Sequence, residues 1–225
     1  MKTLLVYVLV AAGLLAAAGC QTAPQHTAAP DHATSVASGQ GFIADALVTV
    51  FDAAGKYVTK QQYHVSAQPP SIRITAQEPQ GLSVWQWPGG QTPQPQQAGP
   101  AAKRLGDPYV LHALTAAALA GAEMMDTSAG NAMAVTRVEG QWYEPVVFDA
   151  TGGATLTLYK DPRTGRFERA RLHDAAAGRL VAVRSYNFLY IAALARIMPT
   201  KFDVLVGPTE SALTRVLQIE YTAVH

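Results

Sequence analysis

Residues 57–65 read Tyr-Val-Thr-Lys-Gln-Gln-Tyr-His-Val. Tyr57, Thr59, Gln61, Tyr63 and Val65 alternate with Val58, Lys60, Gln62 and His64, a period of two. That period belongs to a half-buried strand, with the aromatic face inward and the charged face outward. On the N-terminal side, Asp52-Ala53-Ala54-Gly55 predicts a turn, with Gly55 free to take positive φ. Before it, Phe42 to Phe51 is a dense apolar and β-branched run. On the other side, Pro69-Pro70 breaks the chain. Ile72, Ile74 and Ala76 then alternate with Ser71, Arg73 and Thr75, and Leu82 to Trp87 supplies a fourth strand after Gly81. The connections are too short for parallel crossovers, so the four segments predict an antiparallel meander.

Residues 88–106 are rich in Pro, Gln and Gly and predict a disordered loop. Asp107-Pro108 then reads as a helix start, Asp as N-cap and Pro at the first helical position. The Ala/Leu-rich segment Tyr109 to Ala122 follows, with Leu111, Leu114 and Ala118 on one stripe. Such a helix buries one face, and the sheet is the nearest surface.

Strand signals resume after Gly130. Ala132 to Val138 and Gln141 to Phe148 flank a tight turn at Glu139-Gly140. Ala154 to Lys160 and Phe167 to His173 flank Asp161-Pro162-Arg163-Thr164-Gly165. Arg179 to Phe188 is a further strand. Leu189 to Ile197 fits a short helix or a continued strand, with Pro199 as its stop. Lys201 to Val206 and Thr214 to Val224 close the domain. The expected class is mainly β with α: a strongly curved antiparallel sheet, or unclosed β-barrel, of about ten strands, with one or more helices in its concave side.

The first forty residues differ in kind. Lys2 supplies a positive start, and Leu4 to Ala18 is apolar, short of the roughly 20 residues that span a bilayer. This predicts a signal peptide over 1–19. The run ends Leu15-Ala16-Ala17-Ala18-Gly19-Cys20, which resembles the bacterial lipobox, with Ala17 where Leu is usual. Cys20 is the one cysteine of the chain, so no internal disulfide can use it. The resemblance implies lipidation, palmitate included, at Cys20, and several acyl chains anchor stably where one does not. Gln21, rather than Asp, implies export to the outer membrane, with the domain facing the periplasm. Residues 20–40, rich in Ala, Thr, Ser, Pro and His, predict a flexible tether to a domain spanning 41–225.

Net charge is +1, which excludes the electrostatic footprint of a nucleic-acid binder. Charged residues make up 15% of the chain, against roughly 25% in a typical domain. No second long apolar run predicts a membrane span. Gly-x-Ser-x-Gly, His-Glu-x-x-His and a phosphate loop are all missing, so no enzyme is expected. In Asp149-Ala150-Thr151-Gly152, Ala150 spoils the aspartic-protease triplet. The six histidines show no ligand spacing, so neither metal nor cofactor is expected, and His64, His112 and His173 read as ordinary strand and helix residues.

From Gly41 to Val224 the chain resembles the LolA/LolB group of bacterial lipoprotein carriers. The likeness rests on the meander and its helical interruption, on Leu156-Thr157-Leu158-Tyr159-Lys160-Asp161-Pro162-Arg163-Thr164-Gly165 with Arg169-Ala170-Arg171-Leu172, and on Met198-Pro199-Thr200-Lys201-Phe202-Asp203-Val204. It implies an unclosed barrel with a helical lid and a non-enzymatic carrier or acceptor for lipid or for the acylated end of lipoproteins. The helix from Tyr109 is the expected lid. Tyr63, Trp85, Leu111, Leu114 and Trp142 are the expected lining of a lipid cavity. The alternative is a structural or envelope-interaction lipoprotein with a filled core.

Overall fold

The computed structural model describes residues 41–68, 71–78, 81–87, 94–97, 107–150 and 153–225, with backbone alone between 71 and 97. Cys20, the signal peptide and the tether lie outside the described residues.

Thirteen strands form one sheet in the order β5-β4-β3-β2-β1-β13-β12-β11-β10-β9-β8-β6, with β7 pairing to β8. They are β1 (Phe42–Phe51), β2 (Tyr57–Gln68), β3 (Ser71–Glu78), β4 (Gly81–Trp87), β5 (Gln94–Gln97), β6 (Asn131–Ala132), β7 (Thr136–Val138), β8 (Gln141–Asp149), β9 (Thr155–Lys160), β10 (Phe167–Asp174), β11 (Arg179–Ile191), β12 (Arg196–Gly207) and β13 (Thr214–Val224). Among the described residues all pairings are antiparallel, and the path does not close on itself. Ten strands are long, while β5, β6 and β7 have four, two and three residues. The central event is the pairing of β1 with β13, which joins the first meander to the last hairpin.

The alternation at 57–65 keeps its expected phase toward its C-terminal end; Tyr57, expected inward, is instead 58% exposed beside the β1–β2 turn, clear of the core. Tyr63 and Val65 point inward and are buried, while Lys60 and His64 are exposed. Asp52 shapes the β1–β2 turn, its Oδ1 accepting from Ala54 N and Lys56 N, and Gly55 sits at φ +76°. The β7–β8 turn places Glu139 at φ +48° and Gly140 at φ +88°. Two successive positive φ values match the twist of the flanking strands.

The helix α1 (Pro108–Gly121) starts as expected. Asp107 caps it, its carboxylate accepting from Tyr109 N at 3.0 Å, and Pro108 holds the first turn. One expectation needs correction. Burial is not confined to one stripe: from Tyr109 to Ala122 every residue is buried or half-buried. Ala113, Ala116, Ala117 and Ala120 form a second buried stripe, so the helix is apolar all round, as a helix inside a core must be. It packs on β9 to β12. The core beneath it comprises Phe42, Leu156, Leu158, Leu172, Val181, Val183, Met198, Phe202 and Val204 with their neighbours.

Three further corrections concern strands. Ala132 to Val138 is not one strand: β6 pairs to β8 at 146–147 and β7 at 141–143, with an interruption between them. The loop expected over 88–106 contains β5, which pairs with β4; its remaining residues lie outside those described. Pro199 does not stop a segment but sits within β12, opposite Phe188. Proline is tolerated there because β13 pairs with β12 only from Lys201 onward. Beside it, Thr200 Oγ1 donates to Asn187 O at 2.8 Å and accepts from Asn187 Nδ2 at 2.7 Å. Of the two readings for Leu189 to Ile197, the continued strand holds through Ile191, and a single 3-10 turn at 192–194 leads into β12.

Candidate functional site

The two stripes of α1 meet different halves of the sheet. At 3.6 residues per turn, Leu111, Leu114, Thr115 and Ala118 share one side, and Ala113, Ala116, Ala117 and Ala120 the other. The alanine stripe lets the backbone approach β9 to β12 closely. At Gly121 the approach is close enough that a Cβ there would stand 2.7 Å from Pro199 Cγ. Across the Leu111 side, a hollow separates the helix from β1, β2 and β13. It is open to solvent, and its free space, with the solvent at the mouth included, is about 540 Å3. Its sheet wall includes Val48, Tyr63, Val65, Leu217, Ile219 and Tyr221. Its helix wall is Leu111, Leu114, Thr115 and Ala118.

The lining is almost wholly hydrocarbon. Tyr63 turns its hydroxyl to Gln61 Oε1 at 2.7 Å. Burial among apolar neighbours pushes the Tyr221 phenol well above its ordinary range, and its ring packs edge-on against Phe202 at 5.3 Å and tilted against Phe42 at 5.9 Å. Such a surface could hold an apolar ligand only by removal of area from water, since it offers no charge.

Three ties hold the helix to the same half of the sheet. Asp107 pairs with Arg179 at the start of β11. The Tyr109 hydroxyl bonds Asp174 at the end of β10. That bond, together with the Ala177 N–H, holds the Asp174 carboxyl below its usual range. At the other end Arg196 Nη1 donates to Ala122 O at 3.2 Å. Those ties leave the flank toward β1 and β2 as the open side.

Of the expected lining residues, Tyr63, Leu111 and Leu114 are brought together around the hollow. Trp85 lies on β4, and its side chain is outside the described residues. Trp142 is a correction: it is exposed, paired with Arg137 at the sheet margin. Its neighbour Tyr143 takes the buried phase, on the face opposite α1, edge-on to Tyr159 at 6.0 Å and under Val138. Met124 packs into the core and Met125 against it. Leu217, Ile219 and Tyr221 were not anticipated as lining. Their strand alternation was visible, but not that β13 would lie beside β1.

The outer face carries a polar cluster that sequence reasoning also missed. Glu139, in the left-handed turn position, bridges Arg169 and Arg184, the latter at 2.6 Å. Burial opposes its charge, but the two guanidiniums win and hold the carboxyl below its usual range. Arg169 Nε also donates to Tyr143 Oη at 2.9 Å. His64 is exposed beside Asp45 at 3.0 Å, His173 is exposed, and among the described residues no three His, Cys, Asp or Glu side chains gather as a metal site.

No family model matches the sequence, and no curated protein matches it. Solved structures do. A LolA superfamily protein from Nitrosomonas europaea matches at 12% identity, over 82% of this chain and 85% of that one, with a TM-score of 0.51. A domain assigned to outer membrane lipoprotein sorting, from Vibrio parahaemolyticus, matches at 8% identity over 82% and 84%, with a TM-score of 0.45. A DUF1329 family protein from Desulfovibrio piger matches at 10% identity over 85% and 88%, with a TM-score of 0.46. An unclosed antiparallel sheet, a helix packed against it and the first of these likenesses together give the chain a LolA-like fold.

Proposed function

We propose that the chain is a membrane-anchored lipoprotein that takes up lipid, or the acylated end of another lipoprotein, in the hollow beside α1, as a carrier or acceptor and without covalent chemistry. One observation carries the reading: the hollow is lined by apolar side chains that converge from β1, β2, β13 and α1. An acyl chain entering it would gain roughly 25 cal/mol for each Å2 taken from water. The helix expected as a lid is tied at both ends to β10–β12, so in this reading a chain enters along its free flank toward β2. The described hollow needs no resident metal or cofactor for such binding.

The location belongs to the same proposal. Cleavage before Cys20 and acylation of its thiol would hold the domain on the outer membrane, facing the periplasm, with residues 21–40 as the spacer. The test uses the full mature chain with Cys20→Ser, which has no acyl group of its own. Native mass spectrometry should show co-purified lipid, and a fluorescent fatty acid should titrate to one site per chain. A chain that is uniformly empty and does not bind the probe ends the carrier reading and leaves the filled-core scaffold.

A further inference from the structure

The β11–β12 hairpin outruns its neighbours. β10 pairs with β11 only as far as Arg169 opposite Arg184, and β13 pairs with β12 only from Lys201. The two strands continue together from there to Ile191 opposite Arg196. A lone two-stranded ribbon is marginal in water. This one is held at its end: Leu194 is buried in the core, and Arg196 bonds the last turn of α1. Apart from those contacts the tip is bare on both faces, since the adjacent strand residues Leu189 and Tyr190 point opposite ways. Leu189 is 49% and Tyr190 64% exposed, and Ala192, Ala193 and Ala195 are exposed beside them.

The composition of the hairpin itself is skewed in charge. From Ser185 to Phe202 there is no Asp or Glu, while Arg196 and Lys201 are present. The Arg166 guanidinium adds a third cation, 5.8 Å from the Phe188 ring. An aromatic and a leucine at an apolar tip, with the cations behind it and Lys201 offset by Glu220 at 3.8 Å, fit the interface of a bilayer, where Tyr sits at headgroup level and Arg meets phosphate.

The position of the tip selects this occupant. β1 runs antiparallel to β13, and β13 to β12, so the start of β1, the end of β13 and the start of β12 share one end of the sheet. Ile43 and His225 exchange backbone hydrogen bonds there. Residues 20–40 therefore enter the domain at the end that carries the hairpin tip. As the tether that their composition predicts, they would have a root-mean-square reach of roughly 25 Å. The opposite end of β1 is about 33 Å further away, at roughly 3.3 Å per residue.

We propose that the tip of the β11–β12 hairpin, led by Leu189 and Tyr190, is a docking surface for the lipid bilayer. The proposal rests on the reading that Cys20 is the anchor. Once tethered, the domain would lay this tip on the membrane and hold the C-terminal end of α1, through Arg196 and Leu194, next to the lipid. Acyl chains would then reach the hollow from the bilayer side.

The test uses the mature chain with Cys20→Ser, so that any affinity comes from the protein surface, and vesicles of phosphatidylethanolamine with phosphatidylglycerol. The chain should co-sediment with the vesicles, and Leu189→Ser with Tyr190→Ser should lower the partition coefficient at least about tenfold. Because Cys20→Ser removes the one thiol, Leu189→Cys can carry a polarity-sensitive dye alone. Its emission should shift to the blue on addition of vesicles. This second readout stands even where the double variant folds poorly. An unshifted dye overturns the proposal, as does partition unaffected by the double substitution in a folded chain. A protein partner retained through Leu189 and Tyr190 without vesicle binding also overturns it. The anchor reading fails separately, when the mass of the mature chain shows an unmodified Cys20.

Discussion

The two halves of the sheet receive the same helix differently. Toward β9 to β12, α1 presents Ala113, Ala116, Ala117 and Ala120, each no more than 1% exposed. Toward β1, β2 and β13 it presents Leu111, Leu114, Thr115 and Ala118 across open space. Small side chains bring the helix backbone down onto one half, and the curvature of the sheet then carries the other half away. The ties at Asp107, Tyr109 and Arg196 all reinforce the close side. Here a cavity arises less from large residues held apart than from an alanine stripe that sets the helix off-centre. Two stripes of one helix should therefore respond oppositely to added volume.

The largest effect is expected on the close side. Ala116→Leu adds three carbons where the residue is wholly buried. Overpacking of this kind costs about 1–3 kcal/mol. Urea unfolding should show a lowered midpoint with unchanged slope. An unchanged midpoint would mean that the close half has slack, and the contrast between the halves would lose its basis.

His112 gives a pH-dependent version of the same test. It lies on α1 and is buried, and desolvation lowers its pKa from the ordinary 6.5. Above pH 6.5 both the folded and unfolded imidazoles are neutral, so the group adds no slope. As pH falls below 6.5 the unfolded chain takes up the proton first, and stability is lost until the folded pKa is reached. The loss is at most about 1.4 kcal/mol per pH unit. His112→Gln should flatten that part of the stability curve between pH 7.5 and 5.5. A slope that survives the substitution assigns it to other groups.

Asp107→Ala comes next. It removes the helix cap and the partner of Arg179, and loss of a cap costs typically about 1 kcal/mol. Amide exchange should quicken in the first turn of α1 while its C-terminal turn, held by Arg196, stays protected. Uniform loosening along the helix would contradict independent ties at the two ends.

Which parts of this contrast were legible in the sequence follows from range. The phase of residues 57–65 and the start at Asp107-Pro108 are local, and both gave the right element. The Leu111–Leu114–Ala118 stripe and the inward Tyr63 came from the same periodicities. What they face did not, because β1 meets β13 across nearly the whole chain and no local pattern encodes that pairing. Trp142 was misplaced for a related reason. Trp142 and Tyr143 are adjacent, so one must point each way, and the choice was made by β7 and Tyr159 closing over Tyr143. Pro199 followed a sound local rule, overridden by the hydroxyl of Thr200 and the twisted backbone of Asn187 at φ +56°.

The smallest expected change in stability sharpens the comparison most. Ala118 is buried at 3% exposure, yet it lines the hollow, so a larger side chain there points into open space. Ala118→Leu should shift stability by no more than about 0.5 kcal/mol, since added apolar burial offsets any local strain. The same substitution should weaken the fluorescent fatty acid by about tenfold or more, by filling the volume that the ligand needs. Ala116 and Ala118 are two residues apart on one helix and gain the same atoms. If both variants lose stability equally, the hollow is not open to side chains, and if Ala118→Leu binds the probe undiminished, the probe sits elsewhere.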